Sequence, residues 1–197
     1  MSTRIAVLGL GEAGSEIARD LVAAGADVRG YDPKDLSVDG VQPRASEAEA
    51  VADADIVLSV NSSHDAMTAL ENALPALRAG TLWADLNTAS PGVKVALAAR
   101  AAERDVPVID VALMSPVPGK GLRTPMLVSG RGRPLPRPAR GAGCRRGRPG
   151  GPAGTAISRK LLRSVFYKGL AAAVVEALRG AQAAGCADWL RGTSRRS

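Results

Sequence analysis

Residues 4–32 read RIAVLGLGEAGSEIARDLVAAGADVRGYD, and they divide into three parts. Residues 4–9 are a short β-rich apolar run. The stretch after them places Ile17, Ala18, Leu21 and Val22 at helical spacing and stops at Gly25. Residues 26–32 read as a second strand. Between strand and helix lie Gly9, Gly11 and Gly14 in the spacing G-x-G-x-x-G, with Leu10, Glu12 and Ala13 completing the turn. Such a turn binds a dinucleotide when a strand precedes it, a helix follows it and an acid ends the next strand. Here that acid is Asp32. Gly9 allows the tight turn, Gly11 lets the backbone approach a pyrophosphate, and Gly14 lets helix and strand pack closely. The helix start offers free N–H groups and partial positive charge to the phosphates. A carboxylate at 32 accepts from both ribose hydroxyls and repels a 2′-phosphate, so it favours NAD over NADP. Lys34 beside it reads as a solvated loop charge.

Further along, helix and strand keep alternating. Residues 46–54 form a helix opened by Ser46, with Glu49 completing a capping box. Strands follow at 55–60, 81–87 and 106–113, with a sixth at 124–130. Helices fall at 65–80, as far as Pro75, and at 90–105, where Pro91 sits at the start and its missing N–H costs nothing. This alternation predicts an α/β fold: a doubly wound parallel sheet with helices on both faces and ligands at the carboxyl ends of the strands.

Composition narrows the function. With 46% hydrophobic but only 3% aromatic residues, the core must be aliphatic. The N-terminus lacks the pattern of a secretory signal, and no run approaches the roughly 18 apolar residues of a membrane span, so a cytoplasmic protein without membrane contact is expected. Cys144 and Cys186 form no metal or redox spacing. Trp83 and Trp189 read as packing residues, and His64, the single histidine, as a solvated loop residue. The net charge of +7 has a local source. Residues 131–153 carry seven arginines and no acid, and outside them nineteen basic residues face nineteen acidic ones.

With these residues in hand, the chain resembles the β-hydroxyacid dehydrogenases, which include 3-hydroxyisobutyrate and 6-phosphogluconate dehydrogenases and imine reductases. The opening segment is similar to that family's cofactor turn. VLSVNSSHDAM (57–67) resembles its loop after the third strand, which implies that Val60 and Asn61 lie along the cofactor. ADLNTASP (84–91) resembles D-x-S-T-x-S-P with Asn87 in the serine's place, implying a position near the nicotinamide ribose. GTAISRKLLRS (154–164) resembles G-x-x-x-K-x-x-x-N with Lys160 on the catalytic lysine, Ala156 replacing a glycine and Ser164 the asparagine. DVALMSPVPGKG (110–121) corresponds poorly to the substrate loop, leaving Ser115, Gly119 and Gly121 as its candidates. The resemblance implies a Rossmann domain, NAD or NADP as cofactor, and hydride transfer from a small hydroxy acid with Lys160 as proton acceptor. On a helix Lys160, Ser164, Tyr167 and Lys168 share one face.

One stretch breaks the pattern. Residues 131–153 contain seven Arg, six Gly and five Pro, with no helical or strand period. Such a segment cannot bury enough surface to order itself. One reading is an arginine–glycine linker for nucleic acid, weakened by the absence of stacking aromatics. The other is a shift of reading frame in a GC-rich gene, which yields these residue types and accounts for a helix and strand the architecture lacks. The expected organisation is therefore a nucleotide-binding domain at 1–130, a disordered basic segment at 131–153, and at 154–197 one long helix of a truncated all-α substrate domain. The apolar face of that helix calls for cover, which a homodimer would supply. Cofactor binding without turnover, as a pseudoenzyme or sensor, and nucleic-acid binding through 131–153 are the alternatives.

Overall fold

A computed structural model describes residues 2–132 and 150–193. Both readings of the basic stretch fall largely on residues outside these, as does Cys144. The chain forms two compact units, Met1–Lys160 and Leu161–Ser197.

The first unit is built on one seven-stranded sheet. In chain order it contains β1 (Arg4–Leu8), α1 (Glu12–Ala23), β2 (Asp27–Tyr31), β3 (Gln42–Pro43), α2 (Glu47–Val51), β4 (Ile56–Ser59) and α3 (Ala66–Ala73). There follow β5 (Leu82–Asp85), α4 (Pro91–Ala102), β6 (Val108–Leu113), a 3-10 turn at Gly121–Arg123, and β7 (Met126–Gly130). The strands lie in the order β3-β2-β1-β4-β5-β6-β7. The first six run parallel. The order reverses between β1 and β4, and in such sheets the crevice outside that reversal receives the ligand.

Two features differ from the expected sheet, one in direction and one in strand number. β7 runs antiparallel to β6, pairing Ile109 with Gly130 and Leu113 with Met126. The chain between them holds only the 3-10 turn and no crossover helix, and a parallel return requires a crossover. β3 was not anticipated. It is a two-residue exposed edge where Pro43 forfeits no interior ladder bond.

Alternation along each strand splits the core. Ile5 and Val7 join Ile17 and Leu21 of α1 on one face. Ala6 and Leu8 join Leu70 of α3 and Leu97 of α4 on the other. β4 and β5 are buried along their full length, as expected of interior parallel strands covered on both faces. Each such Leu or Ile contributes about 1.5–3 kcal/mol by leaving water. Trp83 is fully buried, and its Nε1 has no hydrogen-bond partner among the described residues.

Helix ends follow local chemistry. Gly25, at φ 81°, ends α1 in a conformation other residues rarely adopt. Ser90 Oγ accepts the Val93 N–H ahead of Pro91. Ser46 Oγ accepts the Glu49 N–H at 3.2 Å, while the Glu49 carboxylate accepts from Ala45, one residue earlier than a reciprocal box requires.

α5 (Thr155–Ala183) starts in the first unit, and most of its length belongs to the second, which also holds α6 (Ala187–Thr193). In the second unit Leu162, Val165, Phe166 and Leu170 are exposed. The Arg163 guanidinium sits 4.8 Å over the Tyr167 ring, and Phe166 meets Tyr167 edge-on. Trp189 does not pack as expected: it is 70% exposed, because the short helix α6 buries little of its own surface. Among the described residues no helix is long and apolar enough to cross a membrane.

Candidate functional site

The turn after β1 is shaped by what its glycines exclude. Gly9 adopts φ 94°, and a Cβ there would lie 2.5 Å from the Val60 carbonyl oxygen and 2.7 Å from Asn61 Oδ1. A Cβ on Gly14 would run into the Gly9 carbonyl, so the first turn of α1 sits directly against the strand end. A Cβ on Gly11 would meet nothing within 4 Å. It would project into open space beside a cavity of about 480 Å³ lined by Gly9, Gly11, Asp32, Val60 and Asn61. Among the described residues no side chain caps the start of α1, so its first-turn N–H groups are available to an anion. Asp32 is fixed by two main-chain bonds: it accepts the Leu10 N–H at 2.8 Å and the Lys34 N–H at 2.9 Å. Each carboxylate oxygen keeps a further lone pair for a ligand hydroxyl. An uncapped helix start, a space a Cβ would fill and an oriented carboxylate fit a dinucleotide.

A second cavity of about 480 Å³ borders the same turn. Its walls include Glu12, Ala13, Thr88, Ser115 and Lys160. Lys160 is half-buried, and its Nζ donates to Thr88 Oγ1 at 2.9 Å. Burial pushes the Lys160 ammonium below the ordinary lysine range. The Lys94 charge pushes the same way, and the Asp110 carboxylate opposes both. A lysine shifted in this direction is closer to serving as a base near neutral pH. Ser115 Oγ accepts from Lys120 Nζ at 3.1 Å across the mouth of the loop.

A buried ionic cluster joins α4 to the adjacent strands β5 and β6. Lys94 Nζ is 2.8 Å from Asp85 Oδ2 and 3.3 Å from Asp110 Oδ1. All three side chains are 1% exposed or less. Burial raises the Asp85 carboxyl above the usual range, against the pull of Lys94 and of the Asn87 N–H groups.

A model of the NAD binding domain of 6-phosphogluconate dehydrogenase matches residues 4–129. The chain belongs to that family. A probable 3-hydroxyisobutyrate dehydrogenase of Mycobacterium bovis is 36% identical over 94 residues, 45% of this chain and 32% of that protein. The chain thus matches about a third of the length of that curated relative. The structure of Mycobacterium tuberculosis 3-hydroxyisobutyrate dehydrogenase with L-serine superposes with a TM-score of 0.82 at 28% identity, over 94% of this chain and 67% of that one. A conserved hypothetical protein from Sinorhizobium meliloti superposes equally well at 30% identity, over 100% of this chain and 70% of the other. The comparisons lend no support to a sensor without turnover or to nucleic-acid binding.

Against this family's dinucleotide-binding domain, the predicted residues sort by location. Gly9, Gly11, Asp32, Val60 and Asn61 line the first cavity, while Glu12, Ala13, Ser115 and Lys160 line the second. The Leu10 side chain is buried in the core, and only its N–H faces Asp32. Asn87 is 3% exposed. Its Nδ2 donates to Ser59 Oγ and Asp85 Oδ1, so it braces the loop from below, and neither cavity wall includes it. Gly121 packs against the Asp20 carboxylate, which accepts the Leu122 N–H at 2.8 Å and ties the 3-10 turn to α1. Gly119 is exposed and outside the cavity wall. Ser164 belongs to the second unit. His64 is exposed and lines neither cavity. Thr88, Lys94 and Asp110 were missed. Thr88 and Asp110 both stand inside quoted motifs, whereas Lys94 and Asp110 meet only through the fold.

Proposed function

We propose that this chain is an NAD(P)-dependent oxidoreductase, NAD being preferred, that transfers a hydride between a small hydroxy acid and a nicotinamide. The observation that carries this reading is the half-buried Lys160 amine against Thr88, in a cavity sharing its turn with the dinucleotide pocket. Gly9, Gly11 and the first-turn N–H groups of α1 would hold the pyrophosphate. Asp32 accepts from the ribose hydroxyls, and its charge disfavours a 2′-phosphate. A bound nicotinamide would supply the hydride acceptor for oxidation of the hydroxyl-bearing carbon. Lys160, as the neutral amine, accepts the hydroxyl proton. Thr88 orients that amine, and Ser115 and the Glu12–Ala13 turn bound the space in which the substrate sits.

Titration of the full chain with NAD and NADP tests the first half of the reading. Saturable binding of NAD, tighter than NADP, is expected, and no affinity for either removes it. A panel of hydroxy acids, followed by reduced-nicotinamide absorbance with Lys160→Ala as control, tests the second. The substitution should lower kcat by about 10²–10⁴-fold. Undiminished turnover in that variant would exclude the lysine as the base.

A further inference from the structure

Lys94 is a charged side chain at 1% exposure with no direct part in the proposed hydride transfer. Its Nζ lies near three acceptors: Asp85 Oδ2 at 2.8 Å, the Asp85 carbonyl at 3.1 Å and Asp110 Oδ1 at 3.3 Å. It therefore joins α4 to the adjacent strands β5 and β6. The other oxygen of Asp110 points elsewhere. Asp110 Oδ2 accepts the Ile157 N–H at 3.0 Å and the Ser129 hydroxyl at 3.2 Å. Ser129 Oγ in turn accepts the Ala156 N–H at 2.9 Å. Two N–H groups in the first turn of α5 thus end on a carboxylate and a hydroxyl from β6 and β7. The residue before that helix, Gly154, adopts φ 91° and has no side chain with which to cap it. A Cβ on Gly154 would come 3.0 Å from the Pro91 carbonyl, so the same helix start also abuts the start of α4.

A negative charge at a helix start is favourable, and a buried carboxylate needs a paired cation. Lys94 supplies the counterion. We infer that Lys94 is a positioning residue: by pairing with Asp110 beneath the first turn of α5, it holds that turn, and with it the Lys160 amine, against Thr88 at the cavity wall. The use of Lys160 as a base rests on the dehydrogenase reading, whereas the clamp does not.

Amide hydrogen exchange read by mass spectrometry on the full chain tests this, comparing wild type with Lys94→Met and Ser129→Ala. In Lys94→Met, exchange across residues 155–160 should rise about tenfold or more, the loss expected when charge-assisted bonds open locally. Exchange across 4–32 and the affinity for NAD should stay within about twofold, because the clamp lies outside the dinucleotide pocket. Ser129→Ala removes only the hydroxyl link and should loosen the same segment. An increase spread evenly over the chain, or no increase at 155–160, overturns the proposal. Should Lys94→Met not fold, unchanged exchange at 155–160 in Ser129→Ala overturns it alone. In turnover, Lys94→Met should lower kcat and leave the cofactor KM unchanged. A wild-type chain that oxidises no hydroxy acid refutes the dehydrogenase reading, while the exchange measurement still decides the clamp.

Discussion

Asp32 is oriented before any ligand arrives, because two backbone N–H groups already fix its carboxylate. Removing it by Asp32→Ala should weaken NAD binding by about 1.5–3 kcal/mol, the contribution of hydrogen bonds to a charged group. NADP binding should weaken less, since the repulsion of the 2′-phosphate disappears with the carboxylate. Isothermal titration with both cofactors measures the difference. Lys160 permits a second residue-level prediction. A proton acceptor works only when neutral, and burial and Lys94 both hold this ammonium below its usual range. The rate of alcohol oxidation should therefore fall as pH drops through a midpoint lower than the ordinary lysine value of about 10.4, and a pH–rate profile locates that midpoint. At this scale the sequence was informative where chemistry is local. Gly9, Gly14 and Asp32 were legible because strand, turn and acid lie within one short stretch. Lys94, Asp85 and Asp110 were not. They come from separate elements, and nothing in SPGVKVAL distinguishes a buried lysine from a solvated one.

The elements themselves were mostly legible, since apolar runs bounded by glycine, proline and capping serines mark them directly. The direction of β7 was not. Strand period says nothing about pairing sense, and the loop from Met114 to Pro125 had to be seen without a crossover helix. The first turn of α1 is the element most exposed to substitution. Gly14→Ala forces a methyl into the Gly9 carbonyl, and that carbonyl is main chain that cannot swing aside. Overpacking of this kind costs about 1–3 kcal/mol. The variant should show both a lower unfolding free energy in urea and a loss of NAD affinity, because the displaced turn is also the one proposed to hold the phosphates. Ser90→Ala tests a different element. Loss of the cap on α4 should cost about 1 kcal/mol in stability, with NAD affinity unchanged in the same titration.

For the molecule as a whole, a cofactor that binds only the folded state shifts the unfolding equilibrium by mass action. NAD at 100 times its Kd should stabilise the chain by about 2.7 kcal/mol, visible as a raised Tm in calorimetry. The same concentration should leave Gly14→Ala unshifted. The two-unit organisation was harder to read from the sequence than the sheet. Family resemblance predicted one long helix beyond the basic stretch, but the start of α5 belongs with the sheet unit and its remainder with the second. The physical reason is the hold that Asp110 and Ser129 exert on Ala156 and Ile157, which no helical periodicity reveals.

The two tryptophans lie in opposite surroundings. Trp83 is sealed in the core, its indole N–H without a partner among the described residues, whereas Trp189 is largely open to water. Indole emission shifts to the blue in apolar surroundings, and a dissolved quencher such as iodide reaches only exposed rings. The chain therefore carries one optical reporter for the nucleotide-binding sheet and another for the C-terminal helices. Fluorescence alone can follow the melting of each unit without a label.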